Sequence, residues 1–293
     1  MIIVKLKGGL GNQLFQYALG RSLAAMCKTE FKIDISLFKT YKLHAYSMRP
    51  LNIQENIATL DEVKALTDRK LGAIESLARR ILHRPASPAP TYFTEKQFHF
   101  DPDILKLRGD FYLDGYWQSE KYFANIDRLI AQEFTVKTPQ TGRDKEVAEQ
   151  MSSCDSVSLH IRRGSYLTPP HNTVIEPRPL TYYHRCADRI AQAVKNPHFY
   201  IFSDDFQWVR NNLKLAYKTT FVDHNKSDKD YEDLRLISLC KHNIVANSTF
   251  SWWGAWLNKN PRKIVLSPAE WFKDTSLNTR DLTPESWVKI SDV

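Results

Sequence analysis

The amino-acid sequence predicts an α/β protein built from two Rossmann-like halves that face a cleft. A short β-branched run near the start stops at a glycine turn and is followed by an apolar pattern of helical period. Further along the chain, short apolar runs each end in polar residues. Open parallel sheets bind ligands beyond the carboxyl ends of their strands, so polar side chains at those ends are typical of this fold. A length of 293 residues suffices for two modest domains.

The first half opens with a strand over Ile2 to Leu6, the turn Gly8-Gly9-Leu10-Gly11 and a helix with apolar residues at helical spacing. The other elements expected here are a strand over 31–35, one or two helices over 60–82, a strand running into a loop over 111–118 and a helix over 120–134. A polar stretch from Val136 to Lys145 is typical of a linker. We therefore expect one domain over residues 1–150 and a second over residues 151–293.

The second half repeats a strand followed by polar residues. Ser156 to Ile161 alternates apolar and polar side chains, which predicts a strand. The further strands expected are 199–202, 243–246 and 263–266, which are followed by Ser203-Asp204-Asp205, Asn247-Ser248-Thr249 and Ser267-Pro268. Parallel strands joined by helices would bring these polar groups to one edge of the sheet.

The net charge is compatible with several classes of negatively charged binding partner. The formal charge of +8 suits a polyanion, a diphosphate ligand or an anionic membrane surface. The nearest basic cluster, Arg79-Arg80 with His83 and Arg84, is interpreted as a solvated helix end, with peripheral membrane contact as the alternative. No recognisable nucleic-acid-binding helix or interleaved basic and aromatic surface occurs in the sequence, so we expect no nucleic-acid partner.

The cysteines and the hydropathy pattern bear on the compartment. Cys27, Cys154, Cys186 and Cys240 lie far apart without metal-ligand spacing, which fits a reducing cytoplasm and argues against zinc. The sequence contains no run of about 18 consecutive apolar residues. We expect a cytoplasmic protein whose membrane association, if present, is peripheral on the inner face.

The glycine turn is the first candidate site. Gly9 and Gly11 let the backbone approach a ligand closely, and the following helix N-terminus can meet an anion. The pattern is not the dinucleotide fingerprint, and glycines at such a turn are often structural. The amides of Asn12 and Gln13 can cap the helix or hold sugar hydroxyls.

A second candidate site follows the strand that ends at Ile161. Arg162 lies on the same face as His160 and is followed by Arg163. An arginine fork at a strand end suits bidentate recognition of a diphosphate. The competing interpretation is a surface ion pair.

Polar residues after the later strands complete the candidates. Asp204 and Asp205 favour ribose binding or helix capping over metal chelation. The hydroxyls of the segment Asn247-Ser248-Thr249-Phe250-Ser251 can cap a helix and bind phosphate. Asp233 lies near the start of an expected helix, where it is either a functional carboxylate or a partner of the helix dipole.

With these motifs in order, the chain resembles the bacterial α-1,2-fucosyltransferases that use GDP-L-fucose. The resemblance covers nearly the whole chain, and together its motifs are highly specific. They are Gly-Gly-Leu-Gly-Asn-Gln at the start, Gly115-Tyr116-Trp117-Gln118-Ser119, His160-Ile161-Arg162-Arg163, Phe202-Ser203-Asp204-Asp205 and Asn247-Ser248-Thr249-Phe250-Ser251-Trp252-Trp253.

The resemblance implies a GT-B fold, inversion at the anomeric carbon and no metal or other cofactor. GDP-L-fucose would be the donor and a galactose-terminated glycan the acceptor, with residues 1–150 on the acceptor side and 151–293 binding the donor. Arg162 would hold the β-phosphate and Asp233 would read guanine. The other implied site residues are Gly9, Gly11 and Asn12 over the diphosphate and fucose, with Asn12 catalytic beside Arg162, and His160, Arg163, Asp204, Asn247, Ser248, Thr249, Phe250 and Ser251 around the nucleotide.

One position departs from the family pattern. The motif usually ends in aspartate, where this chain has Ser165. We favour the interpretation that this aspartate orients Arg162 or a loop and that serine replaces it in part; a role in proton transfer would predict weak activity. The catalytic base is unassigned among Asp34, Glu95, Glu176 and the leaving phosphate itself.

The sequence leaves open two alternatives to α-1,2-fucosyl transfer, namely a related transfer reaction and binding without turnover. Because the motifs bind the donor, they are compatible with an α-1,3 or α-1,6 linkage or with another GDP-sugar. Ser165 also leaves room for a GDP-sugar-binding protein without turnover.

Overall fold

The computed structural model describes residues 1–41, 43–68, 89–169 and 171–292. The chain forms two compact units. Unit 1 comprises Met1–Tyr46 and Ile53–Ile130, and unit 2 comprises Ser47–Asn52 and Ala131–Val293. Both units have parallel sheets and flanking helices, which confirms the predicted α/β class.

Within the described residues, unit 1 contains a parallel sheet in the order β2-β1-β4-β3. Its strands are β1 (Ile2–Lys5), β2 (Phe31–Asp34), β3 (Tyr92–Thr94) and β4 (Phe111–Asp114). Helix α1 (Leu10–Cys27) follows β1, and α2 (Leu60–Thr67) is capped by Thr59 and Glu62 in a capping box. Helix α1 is buried along most of its length, which explains its weak amphipathic pattern.

One predicted element near the end of unit 1 differs in detail from the structure. The stretch 120–134 forms two 3₁₀ turns, Glu120–Tyr122 and Ala124–Ile126, before α3 (Asp127–Glu133) begins. Tyr122 and Phe123 are both fully buried, which constrains the chain to turn there because adjacent residues of a helix face different directions. Strand β3 was missed, and the predicted helical stretch beyond Asp68 and the basic cluster Arg79 to Arg84 lie outside the described residues.

The sheet of unit 2 has the order β10-β9-β8-β5-β6-β7 in the described part of the chain, and neighbouring strands are parallel. Its strands are β5 (Asp155–Ile161), β6 (Pro197–Ser203), β7 (Lys218–Phe221), β8 (His242–Ile244), β9 (Val265–Pro268) and β10 (Val288–Ile290). Its helices are α4 (Gly142–Ser152), α5 (Leu180–Ala193), α6 (Phe206–Asn212), α7 (Asp230–Leu239) and α8 (Thr249–Leu257). The predicted strands are confirmed, whereas β7 and β10 were missed because both are partly exposed edge strands with little apolar signal.

Two core layers cover the faces of this sheet. Val157 and Leu159 of β5 pack with Tyr182 of α5 on one face, while Tyr200 of β6 packs with Leu236 of α7 on the other. The polar positions of β5 are buried too, and Ser158 accepts a hydrogen bond from Asn243 Nδ2 at 2.8 Å. Burial of both faces is expected of a parallel sheet covered by helices, so alternation in β5 marks two interior faces.

The compact units divide at a different place from the predicted domain border at 150/151. The chain passes from unit 1 to unit 2 between Ile130 and Ala131. Helix α4, part of which was interpreted as linker, belongs to unit 2 because Val147 and Met151 pack in the same core as Tyr200. Which unit binds donor and which acceptor stays a prediction.

Unit 2 also recruits a short earlier segment, Ser47–Asn52. Leu51 forms an antiparallel bridge with Val136, and the Asn52 N–H donates to the Thr135 carbonyl at 2.9 Å. The Lys137 N–H donates in turn to the Pro50 carbonyl at 2.9 Å. Unit 2 is therefore assembled from two separate pieces of the sequence.

Across the residues with described coordinates, no helix is both long enough and apolar enough to span a bilayer.

Candidate donor-binding site

The carboxyl ends of β5 and β6 bring two arginines opposite two aspartates. The register pairs Ile161 with Ser203, so the next residues along each strand come side by side. Arg162 Nε lies 3.2 Å from Asp204 Oδ2, and Arg163 Nε lies 3.5 Å from Asp205 Oδ2. The two consecutive arginines thus meet the two consecutive aspartates in register at the sheet edge where ligands bind in this fold.

Asp204 is bonded by the protein itself. Its Oδ1 accepts the Arg163 N–H at 2.8 Å, and its Oδ2 accepts the Ser165 N–H at 3.4 Å. Burial raises the pKa of this carboxyl, but the Arg162 charge and the backbone donors outweigh burial and hold the pKa below its ordinary value. A Cβ at Gly164 would lie 3.2 Å from Asp204 Oδ2, so the backbone passes close to the carboxylate.

The two arginines have different surroundings. The Arg163 guanidinium stacks over the Trp208 ring at 4.1 Å, and Asp205 caps α6 by accepting the Trp208 N–H at 3.1 Å. The Arg162 side chain is 28% exposed, and its guanidinium carbon lies 5.9 Å from the centre of the Tyr166 ring. The two side chains are similarly exposed, at 28% and 24%, so what distinguishes Arg163 is its close stacking on Trp208, which leaves Arg162 as the better candidate for a ligand contact.

His160 lies behind this arginine in the sheet. It is 4% exposed, and its ring centre lies 5.5 Å from that of Phe250. Burial, reinforced by the Arg162 charge, lowers the pKa of His160 to about 3. The imidazole is therefore neutral at physiological pH, so a contact to the donor would have to come from an uncharged ring.

The segment between β8 and α8 divides into buried and accessible residues. The Asn247 amide donates to the carbonyls of Glu176 at 2.9 Å and Trp271 at 3.0 Å, and the Ser251 hydroxyl donates to the Ser248 carbonyl at 3.2 Å. These two side chains fasten the loop and the first turn of the helix. Ser248 is the N-cap residue of α8 but makes no side-chain capping bond.

Thr249 and Phe250 are partly exposed at the start of α8. The Tyr166 hydroxyl reaches the same junction and donates to the Asn247 carbonyl at 2.8 Å. The N–H groups of a helix's first turn attract anions, so this helix end can add to the charge of Arg162 in holding a diphosphate.

Asp233 lies in the first turn of α7 beside other carboxylates. Asn225 Nδ2 donates to Asp233 at 2.9 Å and to Asp144 at 2.8 Å. Burial, with the nearby charges of Asp144, Asp230 and Glu232, raises the pKa of Asp233 to about 7. A half-buried carboxylate held by one amide retains lone pairs for paired N–H donors such as those of guanine.

Sequence reasoning missed Asp230, Tyr166 and Asn225 as members of this region. Burial raises the pKa of Asp230 to about 6, against the lowering effect of the Arg162 charge, so the start of α7 lies within electrostatic reach of that arginine. One signal was available, because Asp230 precedes Asp233 by three residues and shares its helix face. Tyr166 and Asn225 lie on loops, where no periodicity identifies them.

The glycine turn of unit 1 is tightly built. Gly8 has φ +76°, and a Cβ there would lie 2.6 Å from Asn12 Nδ2, so only glycine fits. The Gln13 amide donates to the Gly8 carbonyl at 2.8 Å and the Ala45 carbonyl at 2.9 Å, which makes it structural. Asn12 Oδ1 accepts from Gln118 Nε2 at 3.1 Å. The ligand contacts expected of Gly9, Gly11 and Asn12 stay predictions.

The three carboxylates considered as base have distinct settings. Asp34 is buried and accepts from the Tyr112 hydroxyl and the Ser36 N–H, so it is structural. Glu95 follows β3, and accepts the N–H groups of Tyr116 at 2.7 Å and Trp117 at 3.0 Å. Burial raises the pKa of Glu95 above its ordinary value. Glu176 is largely exposed, beside Arg178.

Trp117 has φ 56°, a left-handed backbone that costs a bulky residue energy. The two hydrogen bonds to Glu95 hold this turn in place. The Gly-Tyr-Trp-Gln motif therefore forms a turn at the carboxyl end of β4 that is stabilised by hydrogen bonds to Glu95. No group of three or more His, Cys, Asp or Glu side chains with metal-binding geometry occurs among the described residues.

Parallel sheets with an arginine and a helix N-terminus at the strand ends of unit 2 are typical of α/β proteins that bind a phosphate-bearing ligand. The model of glycosyl transferase family 11 matches residues 1–291, so the chain belongs to this family. The predicted family is thereby confirmed.

Named relatives carry two different sugars in their names. The chain is 29% identical to an alpha-1,2-colitosyltransferase of Escherichia coli, over 99% of both chains. It is also 29% identical to the O-antigen biosynthesis glycosyltransferase WbnK of Escherichia coli, over 97% of this chain and 99% of the relative. Human galactoside alpha-(1,2)-fucosyltransferase 1 is 24% identical over 59% of this chain and 51% of its own length.

Solved structures support the fold. The fucosyltransferase NodZ from Bradyrhizobium superposes with a TM-score of 0.54 at 17% identity, covering 92% of this chain and 96% of NodZ. NodZ soaked with GDP-fucose, described as an alpha-1,6-fucosyltransferase, gives a TM-score of 0.51 at 18% identity, with 90% and 94% covered. At these identities the likeness establishes the GT-B fold and leaves linkage and residue roles to experiment.

Proposed function

We propose that this protein transfers L-fucose from GDP-L-fucose to O2 of a terminal β-galactoside in a surface polysaccharide or oligosaccharide. The observation that carries the proposal is the accessible guanidinium of Arg162 at the carboxyl end of β5 in unit 2. A ligand with a diphosphate would find there a bidentate cation and, at the start of α8, a helix N-terminus in the same unit.

The chemistry assigned to these groups is stabilisation of the departing nucleotide. The acceptor hydroxyl attacks the anomeric carbon opposite GDP, the C–O bond to phosphate breaks, and the configuration inverts. The sugar passes through an oxocarbenium-like state, and the negative charge that develops on the β-phosphate is met by Arg162. The proton of the acceptor hydroxyl leaves late, to a carboxylate or to the leaving phosphate itself.

Asp233 would select the base. Guanine presents two adjacent N–H donors, which an ionised carboxylate can accept together. Asn225 holds one oxygen of Asp233, which fixes the orientation of the carboxyl plane. Mutating this carboxylate should therefore remove the preference for guanosine nucleotides over other nucleotides, while the contact to the diphosphate is retained.

The proposed acceptor rests on the names of the relatives. The mammalian relatives are named for transfer to galactosides, and the bacterial relative WbnK is named for O-antigen biosynthesis. A galactose-terminated glycan is the proposed acceptor. We place the reaction in the cytoplasm, where nucleotide sugars are made, with peripheral contact to the inner face of the membrane, and we propose that no metal is required.

The test is release of GDP from GDP-L-fucose with and without lactose, followed by nuclear magnetic resonance of the product. We expect release that depends on lactose and a new glycosidic bond at O2 of galactose. Substitution at another position would contradict the linkage. GDP binding without acceptor-dependent release would contradict the enzymatic proposal and favour a GDP-sugar-binding protein.

A second donor is favoured by the similarity to the E. coli alpha-1,2-colitosyltransferase along almost the whole chain. Colitose lacks the 3-hydroxyl of L-fucose. A site built to hydrogen-bond that hydroxyl rejects the deoxy sugar strongly, whereas the reverse preference is weak. Comparing kcat/KM for GDP-fucose and GDP-colitose at one acceptor concentration decides between them, and a preference for GDP-colitose of about tenfold or more would overturn the fucose assignment.

A further inference from the structure

We propose that Asp204 is a positioning residue for Arg162 and that it does not contact the donor. Its carboxylate holds the guanidinium by Nε and fixes the turn after β5, which leaves the two terminal nitrogens of Arg162 directed to the donor's β-phosphate. This inference rests on the proposed function, and it changes the role first expected for Asp204 from a ligand of the nucleotide to a support.

The contact of Arg162 with Asp204 is made through one corner of the guanidinium. The ion pair joins Nε to Asp204 Oδ2 at 3.2 Å, and within the described parts of the chain no second carboxylate forms an ion pair with Arg162. A guanidinium has a fork of donors, so an ion pair made through Nε can leave the outer pair of N–H groups for a ligand. Bidentate contact to phosphate needs that outer pair.

Asp204 also organises the backbone that follows Arg162. Oδ1 accepts the Arg163 N–H at 2.8 Å and Oδ2 is 3.4 Å from the Ser165 nitrogen, with Gly164 close against the same oxygen. Three of the roughly four acceptor positions of this carboxylate are thus used within the protein, so at most one is left for a ribose hydroxyl. Ser165 lacks a carboxylate of its own, and Asp204 supplies one from the neighbouring strand.

An arginine loses much rotamer freedom when it binds a ligand, so holding it in place beforehand improves binding. The benefit should appear only in ligands that have a β-phosphate. GDP and GMP differ by that group alone and share guanine, ribose and the α-phosphate. The ratio of their affinities therefore measures the Arg162 contact separately from the rest of the pocket.

The adjacent residue, Asp205, provides a matched control for the substitution of Asp204. Asp205 lies opposite Arg163 in the same register, caps α6 and carries the same charge as Asp204. Asp205→Asn removes one acidic charge at the same sheet edge, but Arg163 stays stacked on Trp208. This variant should lower thermal stability slightly and keep the GDP to GMP affinity ratio of the unmodified protein.

The experiment measures GDP and GMP affinities of the full chain by isothermal titration calorimetry. The same titrations are made with the single variants Asp204→Asn, Arg162→Ala and Asp205→Asn and with the double variant Asp204→Asn/Arg162→Ala. We expect Asp204→Asn to reduce the GDP to GMP affinity ratio by about tenfold or more while GMP affinity stays within about twofold. In the Arg162→Ala background, Asp204→Asn should change the ratio no further, because the two residues act as one unit.

Three outcomes overturn the inference. Equal losses of GDP and GMP affinity in Asp204→Asn would show direct contact with ribose or general damage to the pocket. Additive effects of the two substitutions would show independent roles. A large reduction of the ratio in Arg162→Ala with an unchanged ratio in Asp204→Asn would show that Arg162 needs no support. If the unmodified protein bound neither nucleotide, the proposed function itself would fail.

Asp204 accepts backbone hydrogen bonds, so its replacement could prevent folding. Arg162→Lys avoids that problem because it leaves Asp204 and its backbone contacts in place. Lysine has one ammonium group, which cannot hold Asp204 and also present a separate pair of donors. We expect Arg162→Lys to lose most of the GDP to GMP discrimination, and full retention would contradict the proposal.

Discussion

Individual side chains in unit 2 gain their roles from their immediate partners more than from their type. Arg162 and Arg163 are adjacent and chemically identical, yet Arg163 is stacked closely on Trp208 and Arg162 has no aromatic ring as near. The difference arises because successive residues of an extended chain point to opposite sides. Substitutions at these positions should therefore have unequal effects.

Arg162→Ala should remove nearly all turnover. We expect kcat/KM for GDP-fucose to fall by at least about a hundredfold, or about 3 kcal/mol of transition-state stabilisation, as for other lost contacts to developing charge. Initial rates of GDP release with lactose measure the effect. Arg163→Ala serves as the comparison, and its kcat/KM should change less. A near-normal rate in Arg162→Ala would show that another group holds the phosphate.

Ser165→Asp tests whether the serine limits the enzyme. Because Asp204 already accepts the N–H of Ser165 and pairs with Arg162, a second carboxylate adds little orientation. We expect kcat/KM to stay within about threefold of the unmodified protein. A rise of a hundredfold would show instead that an aspartate at this position acts in the chemistry.

Donor affinity should depend on pH through Asp233. Its pKa of about 7 lies above the ordinary value, so the carboxyl is protonated as pH falls through 7 and can then no longer accept two guanine N–H groups. KM for GDP-fucose should rise between pH 7.5 and pH 6, by about threefold or more. Asp233→Asn should raise KM at all pH values and flatten this dependence; an unchanged profile would exclude Asp233 as the guanine contact.

The raised pKa of Asp233 also predicts that replacing this residue stabilises the fold at high pH. A pKa raised by folding means that the neutral carboxyl is favoured in the folded state, so stability falls as pH rises from about 4 to 7. At pH 8 the ionised group is a net cost. Asp233→Asn should therefore raise the free energy of unfolding at pH 8, on the order of 1 kcal/mol. The gain should disappear near pH 4, which denaturant titrations at both pH values can measure.

Helices α7 and α8 pack against each other, and this pair positions both the Asp233 carboxylate and the N-terminus of α8. They meet at Gly254, where a Cβ would lie 2.3 Å from Ile237 Cγ2. This close approach brings the backbone of α8 directly onto α7. The placement of Asp233 and of the start of α8 therefore depends on this glycine, which lies in the second turn of α8.

Gly254→Ala should destabilise unit 2 by forcing these helices apart. Overpacking of this kind costs about 1–3 kcal/mol, although alanine alone favours a helix. Thermal or denaturant unfolding measures the loss. The double variant Gly254→Ala/Ile237→Ala should lose less than the sum of the two single variants, because it removes the atom that the new methyl meets. Additive losses would indicate that the contact has no energetic weight.

At the level of elements, the sequence predicted the buried strands well and the edges poorly. Strands β5 and β6 have long apolar runs, but β7 reads Lys-Thr-Thr-Phe and is half exposed. Candidate residues at strand ends were found because strand ends are visible in sequence. The pairing of Arg162 with Asp204 depends on register between distant segments, which no local pattern encodes.

For the whole molecule, the formal charge of +8 and the Arg162 guanidinium after β5 suggest that protein groups supply the positive charge that phosphate needs. Pre-incubation with excess EDTA should therefore leave the rate of GDP release within about twofold of its value with added Mg²⁺ or Mn²⁺. Loss of activity in EDTA, restored by one of these ions, would overturn the proposed metal independence.

The border between the two units illustrates what sequence reasoning lacked. A polar stretch was interpreted as a linker, but Val147 and Met151 within α4 lie in the core of unit 2. Their partners, such as Tyr200, come from a distant strand, so the membership of α4 is a tertiary property. Fold class was predictable from local patterns, whereas the division into units was not.

The small segment Ser47–Asn52 has a consequence for synthesis on the ribosome. It emerges among the residues of unit 1, yet its backbone partners Thr135 and Lys137 are translated much later. The backbone pairing of this piece in unit 2 can therefore form only after residues 135–137 have been translated. A plasmid that encodes unit 2 from Ala131 onward would omit this piece, and one that begins at residue 151 would also omit α4 and expose the core it covers.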